Sequence, residues 1–336
     1  MPASRKRERN ADAPGPEHGI GTTRLVGDVG ATNARFGLVS PDGAVLHSCI
    51  FACADFAEIG EAIDAFLATR GDLAMPQIGA LAIAAAITGD EIRMTNHPWH
   101  FSLAALRDRL GFSRLLGIND FTAVALALPR LSAGERMPVG GGAPVEDAPR
   151  AVLGPGSGLG VSGLIRAGSQ WVALTGEGGH TTMAAASPRE SAVLDMMRRR
   201  FDHVSAERCL SGPGLVNLFT SLAALDGVPA ASYTAAQITD PETGAADKLC
   251  HEATAMFCAM LGTLAGNLAL TLGARGGVYI AGGIVPRLGA RFAESAFRER
   301  FEDKGRFRAY LAEIPTYVVT HKLPAFLGCA AALAAE

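Results

Sequence analysis

The sequence predicts an α/β protein of two lobes, and three observations carry that reading. At 336 residues the chain exceeds the length, roughly 250 to 300 residues, at which one hydrophobic core stops growing. Its first part reads as a run of strands followed by helix-linked strands, in the order βββαβαβα. Near Ala151 a strand and glycine turn begin the same pattern again. An apolar content of 49% with 40 glycines and 18 prolines fits a packed α/β domain with many turns.

In chain order, Arg24–Val29 and Ala34–Val39 read as strands around the glycine turn at Gly30. Pro41-Asp-Gly43 turns the chain into a third strand, Ala44 to Phe51. Asp55, with Glu58 three residues on, resembles a capping box, opening a helix with Phe56, Ile59, Ile63 and Phe66 on one face. Ala80 to Ile87 is apolar almost throughout and predicts a buried strand. Ser102 to Leu110 predicts a helix, Arg114 to Gly117 a strand, and Phe121 to Leu128 a helix ended by Pro129.

Residues 132–149 are rich in Gly and Pro and read as the connection between lobes. Strands are then expected at Ala151, Val161–Ile165 and Trp171–Leu174, and helices at about Pro188–Phe201, Gly214–Leu225 and Ala245–Leu272. Gly277 to Gly283 is another strand and glycine turn, Pro286–Phe301 a helix, Thr316–Thr320 a strand, and an alanine-rich helix starts at Pro324. The domains expected are residues 22–131 with the C-terminal helix 322–336 as a small lobe, and 132–321 as a large one.

A net charge of −3 says little about partners beyond providing no basic field for nucleic acid. Six scattered cysteines without a CxxC pair read as reduced thiols of a cytoplasmic protein, with Cys49 and Cys53 buried in the strand region rather than holding zinc. Residues 1–21, with the basic run Ser4 to Arg9, read as a mobile tail, and no segment is expected to span a bilayer.

The residues that carry chemistry sit where strands end. Asn119-Asp120 closes an apolar strand and opens a helix, so a carboxylate stands where a sheet meets a helix, a position suited to a general base. As an alternative, or in addition, Asp120 is a helix N-cap. Asn119 adds an amide for a sugar hydroxyl. In Gly27-Asp-Val-Gly-Ala-Thr-Asn33, covering Gly27, Asp28, Val29, Gly30, Ala31, Thr32 and Asn33, backbone amides and small polar groups suit phosphate oxygens. Asp28 is the candidate Mg²⁺ ligand, through water. The second loop, Gly154 to Gly160 with Gly156, Ser157 and Gly158 at its tip, matches neither the G-x-x-x-x-G-K-[ST] nor the G-x-G-x-x-G spacing. Lacking lysine, it leaves phosphate charge to amides and magnesium.

Glu177-Gly-Gly-His180 places a carboxylate and an imidazole three residues apart around two glycines that relax the backbone. Both groups can face one cleft, with Glu177 accepting from adjacent hydroxyls. Glu207 precedes a glycine-proline turn, and taken alone would be read as solvent-facing. These features together predict phosphoryl transfer to a small polar acceptor.

Taken in order, Leu25-Val-Gly-Asp-Val-Gly-Ala-Thr-Asn-Ala-Arg35, Ile118-Asn-Asp-Phe-Thr-Ala-Val124, Gly156-Ser-Gly-Leu-Gly160, Gly176-Glu-Gly-Gly-His180, Glu207 to Asn217, Ile280-Ala-Gly-Gly-Ile-Val-Pro-Arg287 and Phe301 to Phe307 resemble the bacterial glucokinase family of the hexokinase group. The resemblance implies a two-lobed actin-like ATPase (ribonuclease H-like) fold, with a duplicated sheet-plus-helices architecture and an interlobe cleft. It implies ATP-dependent phosphorylation of the 6-hydroxyl of D-glucose, with ATP and Mg²⁺ as cofactors and a homodimeric assembly. On matching positions it makes Asp120 the base, Asn119, Asp120, Glu177, His180 and Glu207 the glucose ligands, Gly27 to Thr32 and Gly156 to Gly158 the phosphate loops, and Gly282-Gly283 a turn near the adenosine. Ala31 departs from the pattern, which often has a second glycine there. The rival readings are a kinase of the same fold preferring another hexose, a non-catalytic sugar sensor, and an actin-like or chaperone-type ATPase.

Overall fold

The computed structural model describes residues 22–335, so the expected tail at 1–21 lies outside the described residues. Strands β1 (Arg24–Val29), β2 (Asn33–Val39) and β3 (Val45–Ala52) form an antiparallel meander. Helix α1 (Ile59–Ala68) leads to β4 (Ile78–Ile83), which runs parallel to β1. The expected capping box at Asp55 is corrected: Cys53–Asp55 is a 3₁₀ turn, and α1 starts four residues later, with Glu58 as its N-cap residue. No side chain caps the first turn of α1, and Glu61 instead accepts from Ala57 N, just ahead of the helix.

A hairpin not expected from the sequence follows, β5 (Glu91–Arg93) and β6 (His100–Ser102). It feeds α2 (Leu103–Leu110), β7 (Arg114–Asn119) and α3 (Asp120–Ala127). The first sheet has the order β3-β2-β1-β4-β7.

The expected connection 132–149 is partly structural, since Arg136–Pro138 forms β8 at the edge of the second sheet. That sheet takes β9 (Arg150–Pro155), β10 (Leu159–Ala167), β11 (Gln170–Leu174), β12 (Val278–Ile280) and β13 (Thr316–Val319), in the order β11-β10-β9-β12-β13-β8. Without β8 this order is that of the first sheet: an antiparallel meander whose first strand continues into two parallel strands. The duplication expected from the glycine turns is therefore present in strand order and direction.

Behind the second sheet, α4 (Pro188–Arg198) and α5 (Ala206–Cys209) pack on α6 (Gly212–Leu225), α6 packs on α7 (Lys248–Leu272), and α7 lies against β9. Contrary to the expectation that no segment is fit to span a bilayer, α7 is long and apolar enough by length and composition, with no charged side chain between Glu252 and Arg275. Tertiary packing accounts for that apolarity: Phe257, Met260, Leu261 and Ala265 are buried in the core around the second sheet. Gly262 and Gly266 let the helix at Phe297–Glu302 approach, because a Cβ on either would strike its carbonyls. The single helix expected at Pro286–Phe301 is in fact three short ones, broken at Gly289 and again before Phe297.

The seam between the sheets is α3. Ala123 belongs to the cluster on β1 and β4, whereas Val124, Ala125 and Leu128 pack with Val152, Leu164 and Tyr279 of the second sheet. The last helix, α8 (Pro324–Ala334), returns to lie on α3, where Gly328 abuts the Ala123 carbonyl too closely for any Cβ. Phe326 fills the space above Gly37, where a Cβ would lie 2.6 Å from the ring. Phe121, the second residue of α3, wedges its ring between Gly154 and Gly160 of the second sheet. Interiors pack at crystal-like density, so these glycines are required by neighbouring atoms and not by backbone torsion.

Candidate active site

The α3 N-terminus is built by a division of labour between two adjacent residues. Asn119, not Asp120, is the N-cap, which corrects the alternative role expected for Asp120: its Oδ1 accepts from Phe121 N (2.9 Å) and Thr122 N (3.1 Å), and its Nδ2 donates to Ala85 O (3.2 Å). Asp120 is left with a share in a single first-turn amide. One oxygen, Oδ1, accepts from Phe121 N at 2.9 Å, and Oδ2 has no partner among the described residues. Burial raises its pKa to about 6; the Phe121 amide opposes that rise, and the nearby charges of Asp28 and Glu177 add to it.

Asp120 opens into a cleft of about 230 Å³. One wall carries Asn119, Asp120 and Ala84–Ala86, all at the ends of β7 and β4. The facing wall carries Gly156, Ser157, Gly158, Glu177, His180 and Glu207, and Gly282 lies at its edge. Of the residues singled out in the sequence, this cleft therefore gathers Asn119, Asp120, Glu177, His180, Glu207, the tip of the second glycine loop and Gly282.

Glu207 is less solvent-facing than it reads in isolation. It is half-buried, its Oε2 accepts from Leu159 N at 2.8 Å, and a Cβ on Gly158 would come within 2.6 Å of that oxygen. The carboxylate thus both lines the cleft and holds the glycine loop against β10. Glu177 precedes and His180 ends a 3₁₀ turn, Gly178–His180, closed by His180 N donating to Glu177 O (3.0 Å). Gly178 and Gly179 are there for space rather than for backbone freedom, because Val161 and the Leu159 carbonyl press on them. Both side chains are exposed to the cleft and have no hydrogen-bond partner among the described residues.

The first glycine loop lies outside that cavity, as does Gly283. Gly27 and Val29 are buried in β1, where a Cβ on Gly27 would stand 2.6 Å from Leu81, so sheet packing uses the faces expected to meet phosphate. Gly30 N donates to Asn33 O (3.0 Å) and Gly156 N to Gly158 O (2.8 Å), so each loop spends one amide on its own turn. The amides of Ala31, Thr32, Ser157 and Gly158 have no partner among the described residues. Asp28 Oδ2 stands 3.3 Å from the Arg35 guanidinium; burial raises its pKa and Arg35 opposes the rise. Gly282 (φ +81°) passes so close to Pro155 O that only glycine fits.

Thr95 and Asn96 also line the cleft, and the sequence reading missed them. The signal was there: Asn-His-Pro between the apolar Met94 and Trp99 is hairpin-turn chemistry.

Twin sheets of one strand order, with a carboxylate at the helix N-terminus between them and a glycine loop facing it, define a sugar phosphotransferase of the actin-like ATPase fold. The chain belongs to the glucokinase family, whose model matches residues 25–336. It is 51% identical over 311 residues to the glucokinase of Aromatoleum aromaticum, spanning 92% of this chain and 94% of that one. Among solved structures, glucokinase from an Antarctic psychrotroph is 35% identical with a TM-score of 0.84, covering 94% of this chain and 99% of that one. A ROK family glucokinase from Streptomyces griseus, solved in complex with glucose and AMPPNP, is 17% identical with a TM-score of 0.62, over 93% of this chain and 99% of that one, a likeness of fold.

Proposed function

We propose that the cleft binds D-glucose and transfers the γ-phosphoryl of ATP to its 6-hydroxyl, giving glucose 6-phosphate and ADP. The carrying observation is the convergence of Asp120, Glu177, His180 and Glu207 on one cavity beside a glycine loop with two unpartnered amides. Glu177, Glu207 and His180 engage ring hydroxyls, and Asn119, whose acceptor oxygen is used by the cap, offers its remaining amide hydrogen. Asp120 Oδ2 accepts the proton of the 6-hydroxyl as the O6–Pγ bond forms and the bond from Pγ to the bridging oxygen of ADP breaks. A carboxylate raised to about 6 is a stronger base than an ordinary aspartate and is still ionised at neutral pH.

The amides of Ala31, Thr32, Ser157 and Gly158 receive phosphate oxygens, and Gly282-Gly283 borders the adenosine. Asp28 fits a Mg²⁺ ion carried in by the nucleotide: a single carboxylate with one oxygen free of Arg35, and no group of three or more ligating side chains among the described residues, suits an ion that keeps its waters and takes most ligands from phosphates. When bound, the ion neutralises triphosphate charge. The units that close on the substrates are residues 22–131 with 322–336, and 132–321. The reading includes a cytoplasmic homodimer.

Purified protein with ATP and Mg²⁺ is offered a panel of hexoses, and glucose 6-phosphate is detected by a coupled dehydrogenase. The highest kcat/KM is expected for glucose. A higher kcat/KM for another hexose would replace glucose as the substrate, and absence of phosphorylation of every hexose would end the kinase reading.

A further inference from the structure

We infer that the tip of the β5–β6 hairpin is a wall of the sugar site, and that the Asn96 carboxamide is a specificity-determining contact to a ring hydroxyl. This deepens the proposed glucose site and rests on that reading. The hairpin turn is Met94-Thr-Asn-His-Pro-Trp99, and both of its ends are anchored. Met94 and Trp99 are buried in the core of the first sheet, and Met94 N donates to Trp99 O at 3.2 Å. The Trp99 indole N–H donates to Phe56 O at 3.2 Å, and the His97 ring sits edge-on to the indole, 4.7 Å between centroids. Trp99 is thus a positioning residue for the turn.

Between these anchors Thr95 and Asn96 face the cleft, exposed, with no hydrogen-bond partner among the described residues. Polar groups held on an anchored turn and unpaired with protein lose little freedom when a ligand takes them up. The chemistry of the remaining cleft shows what they supply. Glu177 and Glu207, when ionised, only accept, and Glu207 already spends an oxygen on Leu159 N. Asn119 has committed its oxygen and one amide hydrogen bond to backbone. A sugar hydroxyl both donates and accepts, and the His180 ring and the one remaining Asn119 hydrogen offer few donors against these carboxylates, so ring oxygen lone pairs are left unmatched. The Asn96 NH₂ group supplies donors on the side of the cleft that bears Asp120, and its carbonyl accepts in return.

Glucose binding is measured calorimetrically without nucleotide on the full chain and on Asn96→Ala and Asn96→Asp. The aspartate keeps the shape and removes the donors. Both variants are expected to weaken glucose roughly tenfold, the value of one hydrogen bond left unmade in a desolvated site. The KM for ATP is expected unchanged, and the preference for glucose over its C2 and C4 epimers is expected to narrow. Glucose is also expected to change the emission of Trp99, read in a Trp171→Phe background that leaves it the one tryptophan. Both variants binding glucose within twofold of the parent, with circular dichroism unchanged, would overturn the inference while leaving the glucose site standing. A parent chain that binds no glucose would overturn both.

Discussion

Asp120 and Asn119 illustrate how two neighbouring residues are given different work by one helix terminus. Because Asn119 satisfies the first amides of α3, Asp120 keeps an oxygen for the cleft, and its burial beside Asp28 and Glu177 disfavours the charge. Its folded pKa of about 6 lies above the unfolded value of 3.8, so protonated Asp120 favours the folded state fully below pH 3.8, and that contribution is lost as pH rises through 6. Ionised Asp120 above that pH is a cost to stability. Two consequences are measurable in Asp120→Asn. Turnover is expected to fall by at least 10² to 10⁴, the usual contribution of a positioned base, and the rise of kcat/KM with pH, centred near 6 in the parent, is expected to vanish. Melting at pH 7.5 is expected to rise by the equivalent of roughly 1 to 3 kcal/mol, a gain that disappears in acid. Near-normal turnover in this variant would remove Asp120 as the base.

At the level of elements, α3 is the member that both sheets share. Its Phe121 ring occupies the space over Gly154 and Gly160, and its Ala123 carbonyl receives Gly328 of α8. Each contact needs a missing Cβ, so the seam is specified by small residues on three different elements. Gly160→Ala is expected to destabilise by about 1 to 3 kcal/mol, because the added methyl overlaps Phe121 in a packed interface. Phe121→Leu in the same chain is expected to recover part of that loss, which chemical denaturation of the two single variants and the double variant would show. Additive losses would mean that the ring and the glycine do not meet. Elsewhere the buried ion pair Arg300–Glu190 (2.6 Å), joined by Thr263, ties α4 to the helices behind the second sheet and has no part in the cleft.

On the scale of the whole molecule, the cleft lies between two sheets of the same strand order, and its polar groups come from both sides. A ligand that spans such a cleft stabilises the folded chain in proportion to its saturation. Glucose at a hundred times its dissociation constant is expected to add about 2.7 kcal/mol, read as an upward shift in melting temperature. Glucose with a non-hydrolysable ATP analogue is expected to reduce the radius of gyration in X-ray scattering as the lobes close. An unchanged radius under saturating ligands would rule out closure as the means of excluding water. Five of the six thiols are buried, and burial pushes Cys209 and Cys329 up to about 12, which makes both inert at neutral pH.

Much of this was legible in the chain itself. The strand–glycine–strand turns, the carboxylate after an apolar strand and the Glu-Gly-Gly-His segment are local patterns, and local backbone sterics and hydrophobic periodicity act on neighbours in sequence. The sequence alone therefore determined the α/β class, the duplicated opening and most of the cleft's polar side chains, whereas the first glycine loop and Gly283 fall outside the cavity. Tertiary contact decided the rest: that Asn119 caps while Asp120 does not, that Glu207 is held by Leu159 N, that Gly178 and Gly179 exist to clear Val161 and Leu159, and that Thr95 and Asn96 reach the same cavity. Each of these depends on atoms far apart in the chain whose separation is set only when α3 and the two sheets pack, and no periodicity within one segment encodes that distance.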